Sequence, residues 1–275
     1  MNFITILDML SDQDLLKKAG TRRDSFNHFK KLGSSVALAS IPFGLAATGS
    51  KTKTANAAMF GVTSTASNTD VLNFALTLEY LERSFYRQGL AASGLIPAAD
   101  QMVFATISKH EDAHVDFLKA ALGVDAIAEP TFDFTGAPGG LNLDPFNDYP
   151  TFMALAQGFE DTGVRAYKGQ AGALANDNAL LQYALQIHSV EARHASQVRR
   201  MRGEKGWITK SQNTLPPQFA SIYGGATPES NTVQGGVNLA GMFASYGGDD
   251  AVTEAFDEPL TMDEVLAIGG IFIAS

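Results

Sequence analysis

The chain has 275 residues, of which 45% are hydrophobic, and this suits one good-sized globular domain with appendages. Its formal net charge of -9 argues against nucleic acid as a partner, because phosphate backbones are bound by clustered lysine and arginine. The sequence contains no cysteine, which excludes disulfides, iron–sulfur clusters and an iron site made of four cysteines.

Residues 1–58 have the composition of a leader rather than of a folded domain. Arg22 and Arg23 precede a mildly apolar run over residues 32–47, and residues 55–57 (Ala-Asn-Ala) have the small-x-small form of a signal-peptidase site. We therefore expect a twin-arginine-like export leader and a periplasmic or otherwise exported protein. A flexible arm on a cytoplasmic protein is the alternative. The apolar run is too short and too broken for a stable membrane span.

A Thr/Ser-rich linker, residues 59–68, leads into a helical domain that the apolar pattern predicts over residues 69–203. Thr69 and Asp70 can cap its first helix, which is apolar over a wide arc. Glu79 stands within this arc, and Tyr86 follows seven residues later, two turns further along the same face. An acid at this place is predicted to point into a core.

The second helix opens near Pro97, ends at Gly123 and contains the motif Glu111-x-x-His114. Residues three apart lie about 60° apart around a helix axis, so the carboxylate and the imidazole share one face. Apolar residues such as Ile107 occupy that face too, which directs the pair toward a core. Burying such a pair is costly unless a charged group compensates it, and a pair of divalent metal ions would do so.

The same arrangement recurs further along the chain. A third helix carries Glu160, with Tyr167 seven residues on, and a fourth carries the motif Glu191-x-x-His194. The first glutamate precedes its Glu-x-x-His motif by 32 residues in the first unit (79 to 111) and by 31 in the second (160 to 191). Between the units lies a helix-poor stretch over residues 123–150, far longer than most connections between bundle helices.

The four helices together supply four carboxylates and two imidazoles, which is the donor set of the carboxylate-bridged dimetal bundles. The candidate metal ligands are Glu79, Glu111, His114, Glu160, Glu191 and His194. We expect no catalytic residue apart from them. Hard oxygen donors with one imidazole per metal suit Fe(II) and Mn(II), so two iron ions are expected, with two manganese ions as the alternative.

Three further residues are predicted to support the site without binding metal. Tyr86 and Tyr167 could donate hydrogen bonds to ligand carboxylates, pass an electron, or only fill the core with a satisfied hydroxyl. Glu82 is a competing ligand candidate, but it aligns with Gly163 of the second unit, where no acid stands. The other histidines of the helical domain are expected on outer faces or at caps, namely His110 and His188.

Residues 204–275 form a predicted C-terminal extension that packs on the bundle. Most of it is rich in Gly, Pro, Asn and Ser, which indicates loop structure. Thr261 and Glu264 have the spacing of a capping box ahead of an apolar run, so a short helix is expected near the C-terminus. Residues 271–273 need an apolar surface to cover, either the bundle or a second subunit.

With these motifs the sequence resembles the ferritin-like superfamily, and more narrowly the exported ferritin-like proteins that include the desiccation-related family. The resemblance extends over roughly residues 69–273. The motifs that carry it are residues 78–86, 109–114, 191–194 and 256–260.

The resemblance implies an all-α fold, a ferritin-like four-helix bundle with a long crossover between helices 2 and 3. A loop-rich C-terminal extension that ends in a short helix completes the expected architecture. The resemblance also implies a dinuclear iron or manganese centre in which Glu111 and Glu191 bridge the metals and Glu79 and Glu160 are terminal ligands.

Three functions stay open from the sequence. The first is an iron-binding oxidase-type protein whose partners are Fe(II) and dioxygen or peroxide, acting in stress protection. The second is manganese-dependent dismutation of peroxide, and the third is a non-enzymatic desiccation or stress protectant that uses the bundle structurally. Whether the chain is a ferroxidase- or catalase-like oxidoreductase, and whether it forms a homo-oligomer, are left open. No channel for an organic substrate can be read from the residues.

Overall fold

The computed structural model describes residues 66–274. The predicted export leader and nearly all of the predicted linker lie outside the described residues. Within residues 66–274, no helix combines the length and the apolar character needed to cross a membrane.

Four long helices form a bundle, and their bounds are α1 Asn68–Ala91, α2 Gln101–Leu122, α3 Tyr149–Ala171 and α4 Asn178–Met201. α1 packs mainly along α2, α3 packs mainly along α4, and α1 also contacts α3. The connection from α2 to α3 covers residues 123–148 and contains only short 3₁₀ turns. The predicted all-α bundle with a long crossover between helices 2 and 3 is therefore confirmed.

The first two helices begin at residues other than the predicted ones. Ser67 is the N-cap of α1, whereas Thr69 and Asp70, the predicted caps, are the second and third residues of that helix. Ser67 Oγ accepts a 3.2 Å hydrogen bond from Asp70 N, and Asp70 Oδ2 accepts a 2.8 Å bond from Ser67 N, so the two form a capping box. Pro97 precedes α2 by one turn, in which its carbonyl accepts from Asp100 N and Gln101 N.

The apolar core consists of two clusters along the bundle. The larger contains Tyr86 and the stacked rings of Phe85 and Phe152, together with apolar residues of the C-terminal extension. The smaller contains Tyr167 and mostly aliphatic residues of all four helices, among them Leu76. The polar residues predicted to bind metal lie between the two tyrosines.

The C-terminal extension is attached to the bundle through α3. The fully buried Arg165 donates hydrogen bonds to backbone carbonyls of the extension, including Glu258 O at 2.8 Å and Thr227 O at 2.8 Å. It also forms a 2.8 Å ion pair with the buried Glu229. Close approach is possible because residue 169 is a glycine, where a Cβ atom would lie 1.9 Å from Leu260 O.

The extension contains a two-residue hairpin, β1 Val233–Gln234 with β2 Val237–Asn238, and two short helices, α5 Asp249–Thr253 and α6 Met262–Gly269. The capping box predicted for the last helix is confirmed, since Thr261 Oγ1 and the Glu264 side chain accept reciprocal backbone hydrogen bonds.

The apolar tail after α6 covers the chain's own bundle. Phe272 is buried, with its ring 5.1 Å from that of Phe159 on α3 and 6.1 Å from that of Phe134 in the crossover. The tail also pairs with the crossover backbone, where Ala274 N donates to Thr131 O at 2.8 Å. This segment therefore packs on the bundle and its crossover, and the bundle is one of the two surfaces expected for it.

Candidate metal centre

The six candidate ligands converge in the middle of the bundle. α1 and α3 each contribute one glutamate, and α2 and α4 each contribute a glutamate and a histidine, namely Glu79, Glu160, Glu111, His114, Glu191 and His194. The four glutamates are 0% exposed, and the two histidines are 8% and 5% exposed. The helical spacing thus directs all six side chains away from solvent.

These side chains form two overlapping groups of four residues. Within each group the potential ligand atoms all lie within 4.8 Å of one another. The first group is Glu79, Glu111, His114 and Glu191, and the second is Glu111, Glu160, Glu191 and His194. Because two glutamates belong to both groups, cations held in the two groups would share their carboxylates.

His114 joins carboxylates from three helices. Its Nδ1 atom lies 3.1 Å from Glu79 Oε2 and 3.0 Å from Glu111 Oε2. The same nitrogen lies 3.3 Å from Glu191 Oε1. One imidazole nitrogen and three carboxylate oxygens therefore meet around one point between α1, α2 and α4.

His194 lies between the second group and an outer histidine. Its Nδ1 atom is 3.0 Å from Glu111 Oε1 and 3.2 Å from Glu160 Oε2. Its Nε2 atom is 2.8 Å from Nδ1 of the exposed His110, and the two rings stack with centroids 5.1 Å apart. His110 was expected on an outer face or at a cap, and its contact with His194 was not predicted. Its position one turn before His114, on the same helix face, is the feature of the sequence that indicates a role.

The two tyrosines hold the glutamates of the opposite repeat. The Tyr86 hydroxyl donates to Glu160 Oε1, and the Tyr167 hydroxyl donates to Glu79 Oε1. Burial and the nearby carboxylates raise the pKa of both phenols well above the ordinary value, so both keep the proton that they donate. Each tyrosine thereby engages Oε1 and leaves Oε2 of the same glutamate facing an imidazole.

Burial and the proximity of like charges set the protonation of the metal-free cluster. Burial raises the pKa of Glu111 to about 7, and burial with the charge of Glu111 raises the pKa of Glu191 well above its ordinary value. Burial also opposes ionisation of Glu79, but its hydrogen bond and charge interaction with His114 outweigh this and lower its pKa. Burial disfavours imidazolium too, yet the carboxylates raise the pKa of His194 to about 11 and also raise that of His114.

Several buried atoms of the cluster have no hydrogen-bond partner among the described residues. They are Glu111 Oε1, Glu160 Oε2, both carboxylate oxygens of Glu191, and His194 Nδ1. His194 Nδ1 lies within ion-pair distance of two of these oxygens, but not in hydrogen-bond geometry. Unpaired buried carboxylate oxygens are rare and costly, and a cation is a partner that such oxygens and an imidazole nitrogen can share. The residues present therefore fit a metal site.

Glu82 and His188 belong to neither ligand group. Glu82 is buried, and desolvation followed by the charges of Glu191 and other site carboxylates raises its pKa well above the ordinary value. Among the described residues, no arginine forms an ion pair with Glu82. Gly163 on α3 leaves space for the carboxylates of Glu191 and Glu82, because a Cβ atom at that position would lie 3.0 Å from Glu191 Oε2 and 3.3 Å from Glu82 Oε1.

Comparison with known families agrees with this architecture. Residues 67–204 match the family model described as the ferritin-like domain, and this stretch contains the four bundle helices and both ligand groups. No curated protein matches the sequence. The match covers 138 of the 275 residues, which together with the bundle and its buried acid–histidine cluster shows that the chain belongs to the ferritin-like domain family.

Proposed function

We propose that the cluster is a dinuclear iron site that oxidises Fe(II) with dioxygen or peroxide. The observation that carries the proposal is the overlap of the two ligand groups in Glu111 and Glu191. Four carboxylates and two divalent ions would be close to electrically neutral, which makes their burial tolerable. One imidazole per ion and otherwise carboxylate oxygens favour Fe(II) or Mn(II) over softer metals.

The residues of the site would have three roles: to bridge the two metal ions, to bind one ion as a terminal ligand, and to orient a ligand carboxylate. Glu111 already contacts both imidazoles, through Oε2 to His114 and through Oε1 to His194, so it is placed to bridge. Glu79 and Glu160 each belong to one group and would bind terminally. Tyr86 and Tyr167 keep these terminal carboxylates oriented through their Oε1 atoms.

The bundle also encloses the site. All four ligand glutamates are fully buried, so bulk water has no direct access to the atoms that would react there. Two iron ions bound here would supply one electron each, and the reduction of one peroxide to two waters would also consume two protons. The groups placed to handle those protons are the two tyrosine hydroxyls, which contact Glu160 and Glu79, and the His110–His194 pair. Removal of Fe(II) together with peroxide would limit radical chemistry under stress.

The proposal is tested by metal analysis and Fe(II) titration of the purified full-length protein. We expect about two metal ions per chain, lost when Glu111 and Glu191 are both changed to Gln. Glu129→Gln, an exposed glutamate paired with Arg83, serves as the matched control and should retain the metals. A wild-type protein that binds no iron under anaerobic conditions would contradict the proposal.

Two other outcomes would favour the alternative functions. Retention of manganese, with release of dioxygen from added peroxide, would favour peroxide dismutation. Full stress protection by the Glu111→Gln/Glu191→Gln variant would favour a protectant in which the bundle acts structurally. The wild-type protein and the Glu111→Gln/Glu191→Gln variant are enough to measure both outcomes, so the same two preparations distinguish the three functions.

A further inference from the structure

The two repeats are alike in their polar residues but differ in how the bundle is packed beyond each tyrosine. On the Tyr86 side the space is filled by aromatic rings. Phe104 and Phe152 lie with ring centroids 6.0 Å and 6.3 Å from Tyr86, and Phe85 lies at 5.4 Å. These rings are all fully buried. This end of the site is closed by side chains.

On the Tyr167 side the bundle contains a cavity instead. Its free volume is about 20 Å³, which is room for a molecule the size of water or of a diatomic gas. All four bundle helices contribute to its wall, and Leu72, Leu118 and Ile187 are among the lining residues. Of the lining residues only Tyr167 and Gln170 carry polar side-chain groups, and the Tyr167 hydroxyl is engaged by Glu79.

The cavity lies one helical turn from the ligands. Its wall includes Ala75, four residues before Glu79, and Ile187, four residues before Glu191. Residues four apart on a helix are neighbours on one face. Tyr167 forms part of the cavity wall and also donates a hydrogen bond to Glu79, so one side chain contacts both the cavity and the ligand cluster.

The lining decides which small molecule the cavity suits. A buried water needs two to four polar partners, and an apolar cavity without them stays dry while binding apolar guests such as xenon. Dioxygen is apolar and of suitable size, whereas peroxide would lose its hydrogen bonds to water on entering. A polar co-substrate would therefore be disfavoured on this side of the bundle.

We propose that this cavity is a binding and access site for dioxygen, which reaches the ligand cluster past Tyr167. This inference rests on the proposed function and makes it more specific, because it names dioxygen, not peroxide, as the oxidant that the fold admits at this end. Beyond Tyr86, in the other repeat, aromatic rings fill the corresponding space.

The first test needs no metal. Xenon binding to the metal-free full-length protein is measured by the ¹²⁹Xe chemical shift as a function of protein concentration. We expect a saturable interaction in the wild type that is lost in Ala75→Leu, which fills the cavity, and retained in the control Ala120→Leu at an exposed position of α2. Absence of xenon binding in the wild type would overturn the inference whether or not iron binds.

The second test compares oxidants in the iron-loaded protein. Ala75→Leu should slow Fe(II) oxidation by dioxygen about tenfold and leave oxidation by peroxide nearly unchanged. If Ala75→Leu does not fold, Ala184→Leu, at the half-buried part of the same wall, replaces it. Equal slowing with both oxidants, or no slowing with dioxygen, would overturn the inference. A wild-type protein that binds xenon but no iron would instead refute the proposed function.

Discussion

At the scale of single residues, each tyrosine serves the glutamate of the other repeat. Tyr86 on α1 donates to Glu160 on α3, and Tyr167 on α3 donates to Glu79 on α1. These two reciprocal hydrogen bonds set the rotation of α1 and α3 about their axes as well as the orientation of the carboxylates, because a rotation of either helix would break both bonds. Hydrogen bonds to a charged acceptor contribute about 1.5–3 kcal/mol each, so the pair is significant for both stability and orientation.

His110 gives a prediction about orientation at this scale. With His194 bound to metal through Nδ1, its Nε2 must carry the proton and donate to His110 Nδ1. Loss of a partner that orients a metal-binding histidine typically costs about 10–100-fold in affinity. We therefore expect His110→Phe to weaken Fe(II) binding by at least about tenfold in an anaerobic titration.

Two variants control for this effect. His110→Asn retains a side-chain acceptor and should recover part of the affinity, whereas Lys109→Ala, exposed on the same helix, should leave the affinity unchanged. Equal affinities of His110→Phe and the wild type would show that the stacked pair does not orient His194.

Gly163 gives a second prediction at this scale. An added Cβ atom would lie 3.0 Å from Glu191 Oε2, so Gly163→Ala should displace a carboxylate that both ligand groups share. We expect weaker binding at both metal positions, together with a loss of about 1–3 kcal/mol of stability from crowding.

Gly158→Ala is the matched control on the same helix, because its Cβ would lie 3.3 Å from the apolar side chains of Ile222 and Leu215. It should cost stability without changing metal stoichiometry, as measured by metal analysis of the folded protein. Unchanged binding in Gly163→Ala would mean that Glu191 has room to move.

At the scale of elements, α3 has two roles. One face carries Glu160 and Tyr167 toward the ligand cluster, and another presents Arg165 and Gly169 to the C-terminal extension. This accounts for the extent of its burial, since most residues of α3 are buried along its whole length. The extension is thus a continuation of the domain rather than an independent tail.

Arg165 gives the prediction at this scale. Removing one partner of a fully buried ion pair leaves an uncompensated charge, which costs about 3–5 kcal/mol. Arg165→Met should therefore lower the free energy of unfolding by about this amount in urea denaturation, because Glu229 and several carbonyls lose their partner.

The same exchange at a surface ion pair provides the control. Arg87, which pairs with Asp112 at 56% and 38% side-chain exposure, should tolerate change to Met with a loss of about 0–1 kcal/mol. Adding Glu229→Gln to Arg165→Met should restore part of the loss, and no restoration would show that the carbonyl contacts, not the ion pair, matter most.

At the scale of the whole molecule, the buried cluster couples stability to pH. The pKa of His194 is raised to about 11 and that of His114 is also raised, so their stabilisation is present below the ordinary value near 6.5 and is lost as pH rises. The pKa of Glu111 is raised to about 7, and that of Glu191 is raised well above its ordinary value of 4.5. Above pH 4.5 these groups act in the same direction as the histidines, because the folded state holds protons that the unfolded state has released.

The metal-free protein should therefore lose stability between pH 6.5 and pH 9, by about 1.4 kcal/mol per pH unit for each group that retains its proton. Metal binding displaces these protons, so the gain in melting temperature on adding Fe(II) anaerobically should increase over the same range. Calorimetry in buffers of different ionisation enthalpy should show release of more than two protons near pH 7, one from each imidazole and the remainder from Glu191 and Glu111. A metal-free melting temperature that rises from pH 6.5 to pH 9 would contradict this account.

The helices and the site residues differ in how far the sequence predicts them. The four bundle helices and the long crossover follow from apolar periodicity and from the Gly- and Pro-rich stretch between them. The start of α1 does not follow from periodicity, because Ser67 and Asp70 cap this helix through reciprocal hydrogen bonds. For Glu82 the sequence predicted support of the site without metal binding, but not its contacts, since its neighbours on α3 and α4 are distant in sequence.

The sequence by itself determined that this is an all-α bundle of the ferritin-like type, and which glutamates and histidines face inward, because helical spacing alone decides which side chains share a face. Only the tertiary structure decided which residues meet across helices. The contacts concerned are the hydrogen bond from each tyrosine to the glutamate of the other repeat and the stacking of His110 on His194. The packing also decided that aromatic rings fill one end of the site and that a cavity lies at the other. Contacts of this kind depend on the packing of distant segments. The two repeats do differ in sequence at the positions concerned, because Phe85, Phe104 and Phe152 align with Ala166, Ala184 and Val71, but only the packing shows that the first three fill one end and the last three line a cavity at the other.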